Sequence, residues 1–247
     1  MSTPPEPEPA PTPTVTTVIS CWNREQYLAE AIDSVLGQAL PPGDTLEVVV
    51  VDDGSTDRSA EIAEGYGPPV RVIHQENRGA AGASNSGIRA AGAPLVAFCD
   101  SDDVWLPAKL DAQLRTLREG YDLVFGHLEE FLSPELDPEV VRTRPLRPPM
   151  PGSVPSCALV RREVFEQLGF FDETLANGAW VNWYTRVRAA ELRELILDTV
   201  VVRRRIHDRN NWATQAQPGV GYLRALRSWV HEQRARDRGT APEPRSG

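Results

Sequence analysis

Three short segments hold the residues with chemistry to offer. Asp52-Asp53-Gly54-Ser55-Thr56-Asp57 follows a nearly continuous run of valine. Asp100-Ser101-Asp102-Asp103 follows the apolar residues 94–99, and Ser20-Cys21-Trp22-Asn23 closes the β-branched residues 15–20. If the three loops share one sheet edge, five or six carboxylates meet in one crevice. Carboxylates crowded in this way repel one another unless a cation neutralises them. A hard divalent ion such as Mg²⁺ or Mn²⁺ suits the position, with diphosphate oxygens completing its shell. Each loop alone has a plainer explanation, with Asp53-Gly54 as a turn and Asp102 or Asp103 as a helix N-cap. Two such loops at strand ends of one chain weaken that explanation.

The elements that must position these loops alternate along the chain. Strands are predicted at residues 15–20, 46–51, 70–73 and 94–99. Helices are predicted at 24–36, 57–64, 79–91 and 106–117, the first with Tyr27, Leu28, Ala31, Ile32 and Val35 at helical spacing. Ser55 or Thr56 is available to cap the helix at 57–64. The valine run at 46–51 marks a strand covered on both faces. Alternating strands and helices imply an α/β fold, a mostly parallel sheet with helices on both faces and right-handed crossovers. Ligands of such sheets bind beyond the carboxyl ends of the strands.

Composition narrows the classes. The 247 residues carry a net charge of −9, with 40% apolar and 25% charged residues. The acidity argues against a nucleic-acid partner. No run of 18 apolar residues suggests a membrane span, and the N-terminus lacks the basic and apolar regions of a secretory signal. Cys21, Cys99 and Cys157 form neither a zinc spacing nor a disulfide framework, which points to a reducing cytoplasm. Lys109 is the only lysine, a bias that GC-rich coding explains. Residues 1–14 and 239–247 are proline-rich and expected to be disordered. One domain is expected over 15–238. Its halves are residues 15–118 and 119–238. Residues 133–155, with seven prolines, read as a long loop, of a kind often used as a lid or binding loop.

The order of these pieces resembles that of the inverting family 2 glycosyltransferases, which have a GT-A nucleotide-diphospho-sugar transferase fold. The matching pieces are residues 15–28, Val49 to Asp57, Asn77-Arg78-Gly79, Asn85-Ser86-Gly87-Ile88, Phe98 to Pro107, Gly169-Phe170-Phe171-Asp172-Glu173 and Arg205-Ile206-His207. The resemblance implies a metal-dependent transfer of a sugar from a nucleoside diphosphate, with UDP expected, to a peptide, natural-product or glycan acceptor, the 15–118 half serving the nucleotide-sugar and the 119–238 half, with the loop at 133–155, the acceptor. Trp22, Asn23, Asp52, Asp53, Asn85, Asp100 and Arg205 would surround the donor. Asp52 or Asp53 would accept a hydrogen bond from the base, and Trp22 would lie near its ring. Asp100-Ser101-Asp102 matches the family's DXD motif. Asp102 would ligate Mn²⁺ or Mg²⁺, and His207 would approach the same ion or the diphosphate. Arg203 and Arg204 would also reach the diphosphate, unless, as alternate residues of a strand, some of them face solvent.

The pattern breaks at the catalytic base. The family's Gly-Glu-Asp-x-Asp-Leu segment corresponds here to Gly178-Ala179-Trp180-Val181-Asn182-Trp183. Neither Trp180 nor Asn182 can act as a base near neutral pH. Ser84 stands where relatives often carry Arg. Three explanations compete: another acid such as Asp172, Glu173 or Asp208 serves; the acceptor is a thiol that needs little help; or the protein binds nucleotide-sugar without catalysis. A nucleotidyltransferase would want a glycine-rich, basic first loop that is missing here. Trp180, Trp183 and Tyr184 share a helix face, suited to core packing or to stacking on a sugar. A strand is predicted at 156–161 and a helix at 163–168. Residues 219–238 form an amphipathic pattern with five arginines. A helix packed on the domain is favoured there over one lying on a membrane surface.

Overall fold

Valine sets the centre of the molecule, whose computed structural model describes residues 12–175 and 178–208. Expectations for residues 1–11, 219–238 and 239–247 lie outside the described residues. Strand β2 (Leu46–Asp52) holds Val48, Val49, Val50 and Val51, all fully buried. Their side chains alternate between two cores, as strand geometry requires. Val48 and Val50 join Leu28, Ala31, Ile32 and Val35 of helix α1 (Leu28–Leu36). Val49 and Val51 join Ala83 and Ile88 of α3 (Gly79–Ala90) on the opposite face. Each face is therefore dry, which a strand of continuous valine needs.

Around β2 lie β1 (Val15–Cys21), β3 (Val70–His74) and β4 (Leu95–Asp100), all parallel, in the order β3-β2-β1-β4. Helix α2 (Ser59–Glu64) connects β2 to β3, and β5 (Val104–Trp105) with α4 (Lys109–Leu117) follows β4. Helix α1 starts later than the periodicity predicts. Asn23 adopts φ 51°, and residues 24–27 form a turn closed by the Leu28 N–H donating to the Arg24 carbonyl at 2.9 Å. The cap of α2 also differs from expectation. Asp57 Oδ1 accepts from Ser59 N–H at 2.9 Å, because Ser55 is engaged by Asn23 N–H at 3.0 Å and Thr56 donates to Asn23 Oδ1.

Small residues bring α3 close to the sheet. A Cβ on Gly87 would stand 2.3 Å from Cγ1 of Val18, a clash on the floor of the core. Gly87→Ala is expected to destabilise the protein by about 1–3 kcal/mol, the usual cost of overpacking. Chemical denaturation measures it, and a midpoint equal to that of the wild type would contradict this packing.

Beyond β4 the sheet changes direction. Strand β8 (Leu159–Arg161) pairs antiparallel with β4. Next to it, antiparallel, lies β6 (Leu123–Leu132), and β9 (Glu194–Ile206) runs parallel to β6. The end of β9 then pairs with β5, setting Arg203 against Val104. Residues 133–155 are not one structureless loop. They contain α5 (Pro138–Thr143) and β7 (Met150–Pro151), the latter pairing with β6. A 3-10 turn at Pro155–Cys157 and helix α6 (Arg162–Leu168) precede α7 (Ala179–Ala189). Among the described residues, no helix is long and apolar enough to cross a membrane. Cys21, Cys99 and Cys157 are free and buried.

Candidate functional site

The carboxyl ends of β1, β2 and β4 bring their loops together, as parallel strands must. The β1 and β2 loops are laced to each other. Asn23 N–H donates to Ser55 Oγ at 3.0 Å, and Thr56 N–H donates to Asn23 Oδ1 at 2.8 Å. Arg24 N–H donates to Ser59 Oγ at 2.8 Å. This lacing holds Trp22 outward, 51% exposed, on the rim of the crevice.

The two aspartates at the end of β2 differ in what they have left to offer. Asp52 Oδ1 accepts from Ser55 N–H at 3.1 Å, and Oδ2 meets His74 Nδ1 at 3.2 Å. That hydrogen bond is the leading cause that raises the His74 pKa. Both oxygens of Asp52 therefore serve the loop itself. Asp53 Oδ1 accepts from the Gln75 side-chain amide at 2.6 Å and from Arg78 N–H at 2.9 Å. Its Oδ2 takes no hydrogen bond among the described residues.

The β4 loop gathers the second acidic group. Asp100 lies exposed at the strand end, its N–H donating to Ser156 Oγ at 2.9 Å. Asp103 turns inward, and its Oδ1 accepts from Arg205 N–H at 3.0 Å. Burial, reinforced by the charges of Asp100 and Asp102, pushes its carboxyl well above the usual range. Asp102 is treated differently. One oxygen, Oδ2, receives Arg24 Nε at 3.2 Å and His207 Nε2 at 3.0 Å. Burial alone would raise its pKa, but His207 and Arg24 outweigh burial and hold the carboxyl below its ordinary value.

His207 reaches Asp102 because β9 pairs with β5, the strand that starts one residue after Asp103. The imidazole is buried and packs at 4.7 Å against the Tyr27 ring. Arg205, just before it, is buried as well. Its guanidinium donates to the Asp102 carbonyl at 3.0 Å, pairs with Glu30 of α1, and lies over the rings of Tyr27 and Phe131. That side chain braces the acidic loop against α1.

Trp22, Asn23, Asp52, Asp53, Asp100, Asp102 and His207 thus meet at one edge. Asn85 does not join them. It is buried in α3, where its amide donates to the Phe171 carbonyl and to Glu173, both at 2.9 Å. Nor does the first turn of α7 add a carboxylate. Trp180 donates its indole N–H to the Ser153 carbonyl at 2.9 Å and packs among Phe98, Phe125, Phe171 and Trp183. Trp183 is fully buried and stacks on Phe165 at 4.5 Å. Trp183 therefore belongs to the core, and Trp180 and Tyr184 lie half-buried against it. Of the alternative acids, Glu173 pairs with Arg78 at 2.6 Å, and Asp172 accepts from Thr174.

Among the described residues, no three His, Cys, Asp or Glu side chains form a ready metal shell. Asp102 and His207 supply two donors in mutual contact. That pairing fits a hard divalent ion, which is often held by one or two protein ligands and takes the rest from water and substrate phosphates. Sequence reasoning missed Arg24, the second partner of Asp102. It lies within the matching residues 15–28, but only the fold carries its guanidinium to a residue 78 positions away.

Comparison with known proteins places these features. Residues 16–169 match the family model for glycosyl transferase family 2. An uncharacterized glycosyltransferase of Rickettsia felis is 27% identical over 210 residues, covering 78% of this chain and 34% of that protein. The putative glycosyltransferase EpsH of Bacillus subtilis is 38% identical over 113 residues, covering 44% of this chain and 32% of EpsH. The chain spans about a third of the length of these relatives. Among solved structures, S. aureus TarS 1–349 in complex with UDP-GlcNAc superposes with a TM-score of 0.72 at 19% identity, covering 88% of this chain and 66% of that one. At that identity the likeness speaks to the fold alone, and it is the GT-A fold expected from the sequence.

Proposed function

The chain belongs to glycosyl transferase family 2, and from that premise we propose that it transfers a sugar, with inversion, from a nucleoside diphosphate to a peptide, natural-product or glycan acceptor. UDP is the expected nucleotide, a reading supported by the complexes of TarS with UDP and UDP-GlcNAc. The observation that carries the proposal is the shared edge of two acidic loops. One leaves Asp53 Oδ2 open beside the exposed Trp22. The other sets Asp102 against His207.

In this reading Asp53, rather than Asp52, reads the base, because an imide N–H needs an acceptor and Asp53 keeps an oxygen with no hydrogen bond among the described residues, while each oxygen of Asp52 already has a partner. Trp22 offers a flat apolar face to the same ring. Asp102 and His207 would hold Mn²⁺ or Mg²⁺, which when bound supplies positive charge against the departing diphosphate. Arg205 keeps the acidic loop in place from behind. The three free cysteines support the cytoplasm as the compartment.

A second reading is favoured by one specific observation. Trp180 stands at the family's base position and lies half-buried against the core, its indole N–H spent on the Ser153 carbonyl. A protein that holds nucleotide-sugar without transferring it would tolerate this. Titration with UDP in the presence of Mn²⁺, followed by turnover of a UDP-sugar panel, separates the two. Asp53→Asn keeps a carbonyl oxygen for Gln75 and Arg78 but turns a donor toward the base. Its UDP affinity is expected to fall at least about 10-fold, the loss of one well-placed hydrogen bond. Unchanged affinity would remove Asp53 from the base. Tight UDP binding with no turnover on any acceptor class would leave the binding protein as the answer.

A further inference from the structure

The Asp102 carboxylate already has a cation. Arg24 Nε lies 3.2 Å from Oδ2, on the same oxygen that receives His207 Nε2. The pair is largely removed from water, with side-chain exposures of 11% for Arg24 and 15% for Asp102. Charges screened so little attract strongly. The guanidinium is also tethered to the opposite loop, its Nη1 donating to the Asn23 carbonyl at 3.1 Å and lying 3.4 Å from the Trp22 carbonyl. One side chain thus bridges the loop that carries Trp22 to the loop that carries Asp102.

A divalent ion and a guanidinium drawn to the same carboxylate repel each other at close range, so each weakens the hold of the other on Asp102. We propose that Arg24 is a built-in counter-cation that competes with the divalent ion for Asp102, so that the ion binds weakly until the negative charge of a diphosphate enters the crevice. The donor's phosphates relieve the competition by offering the guanidinium a second anion, and Arg fits phosphate oxygens with its planar fork. Because its tether is the loop of Trp22 and Asn23, the released guanidinium stays at the crevice. The consequence is ordered loading, in which ion and nucleotide bind together far better than the ion binds alone. This inference rests on the assignment of Asp102 and His207 as holders of the ion.

The test is a Mn²⁺ titration of the nucleotide-free protein, read by electron paramagnetic resonance of the free ion, for the wild type and for Arg24→Gln, Arg24→Ala, Arg24→Lys and Asp102→Asn. Circular dichroism monitors folding. Arg24→Gln and Arg24→Ala are expected to bind Mn²⁺ at least about 10-fold tighter than the wild type, and Arg24→Lys to return toward the weak binding of the wild type. Adding UDP should tighten Mn²⁺ binding in the wild type and much less in Arg24→Gln. Two uncharged substitutions guard against one that misfolds. Folded neutral variants with wild-type or weaker Mn²⁺ affinity would overturn the role of Arg24 and leave the metal assignment standing, provided binding is lost in Asp102→Asn. Binding that survives Asp102→Asn would overturn the metal assignment itself, and the role of Arg24 with it.

Discussion

Asp102→Asn is expected to lower sugar transfer at least about 1,000-fold while the protein stays folded, a loss on the scale of removing a principal electrostatic stabiliser of the transition state. The reasoning follows from what the side chain touches. Asp102 Oδ2 accepts from Arg24 and His207. Asparagine retains one oxygen for these donors, so the loop between β4 and β5 keeps its supports. Its backbone is braced independently, by Arg205 on the Asp102 carbonyl and by Asp103 N–H on the Asp100 carbonyl. The negative charge is what disappears, and a hard divalent ion needs that charge to sit here. The measurement is kcat/KM at saturating Mn²⁺, with thermal melting as the control on folding. Transfer within 10-fold of the wild type, in a folded variant, would remove Asp102 from the chemistry.

Lys109→Met should change how stability depends on pH. Lys109 is 1% exposed at the start of α4, with its Nζ donating to Gln113 Oε1 at 2.6 Å and lying 4.3 Å over the Trp105 ring. Burial lowers its pKa from 10.5 to about 7. The sign follows directly. Between those two values the unfolded chain holds a proton that the folded one has released, so stability rises with pH. Below about pH 7 both states are charged and the burial penalty is complete. The wild type should therefore gain about 2 kcal/mol relative to Lys109→Met between pH 7 and pH 9, close to the limiting slope of 1.36 kcal/mol per pH unit. Comparing slopes also cancels a fixed offset, the about 1–3 kcal/mol cost of leaving Gln113 Oε1 without its donor. Urea denaturation at several pH values measures both slopes, and parallel curves would show that Lys109 stays charged when buried.

The parallel half of the fold was legible because its signals are local. Continuous valine marks β2, and loops rich in aspartate mark the strand ends where a doubly covered sheet binds its ligands. The antiparallel half was harder to read. Strand β6 reads Leu-Val-Phe-Gly-His-Leu-Glu-Glu-Phe-Leu, and its register against β9 shifts around Gly126 and His127. A bulge of that kind breaks the alternation by which a strand is recognised. The partner strand lies some seventy residues away, beyond any local window. In the site, proximity in space replaced proximity in sequence. His207 stands 105 residues from Asp102, and nothing in its own neighbours announces the contact. The family resemblance anticipated that meeting. It did not anticipate Arg24, nor that Asp52 would be occupied by Ser55 and His74 while Asp53 kept an oxygen open. The aromatic run of α7 could be read either way from its spacing. Packing decided it, because Trp183 fills the core completely and draws Trp180 in beside it.

The burial of Lys109 has one more consequence. It is the chain's only side-chain amine, and α4 seals it against the sheet. Reagents that acylate lysine will reach this residue only when the packing around α4 opens. A single mass shift on one tryptic peptide then reports the opening of the core, in dilute or mixed samples where optical probes of unfolding fail. The same burial leaves couplings through lysine side chains without an attachment point on the native surface, so immobilisation or crosslinking of the native protein has to use the α-amine, carboxylates or an introduced thiol.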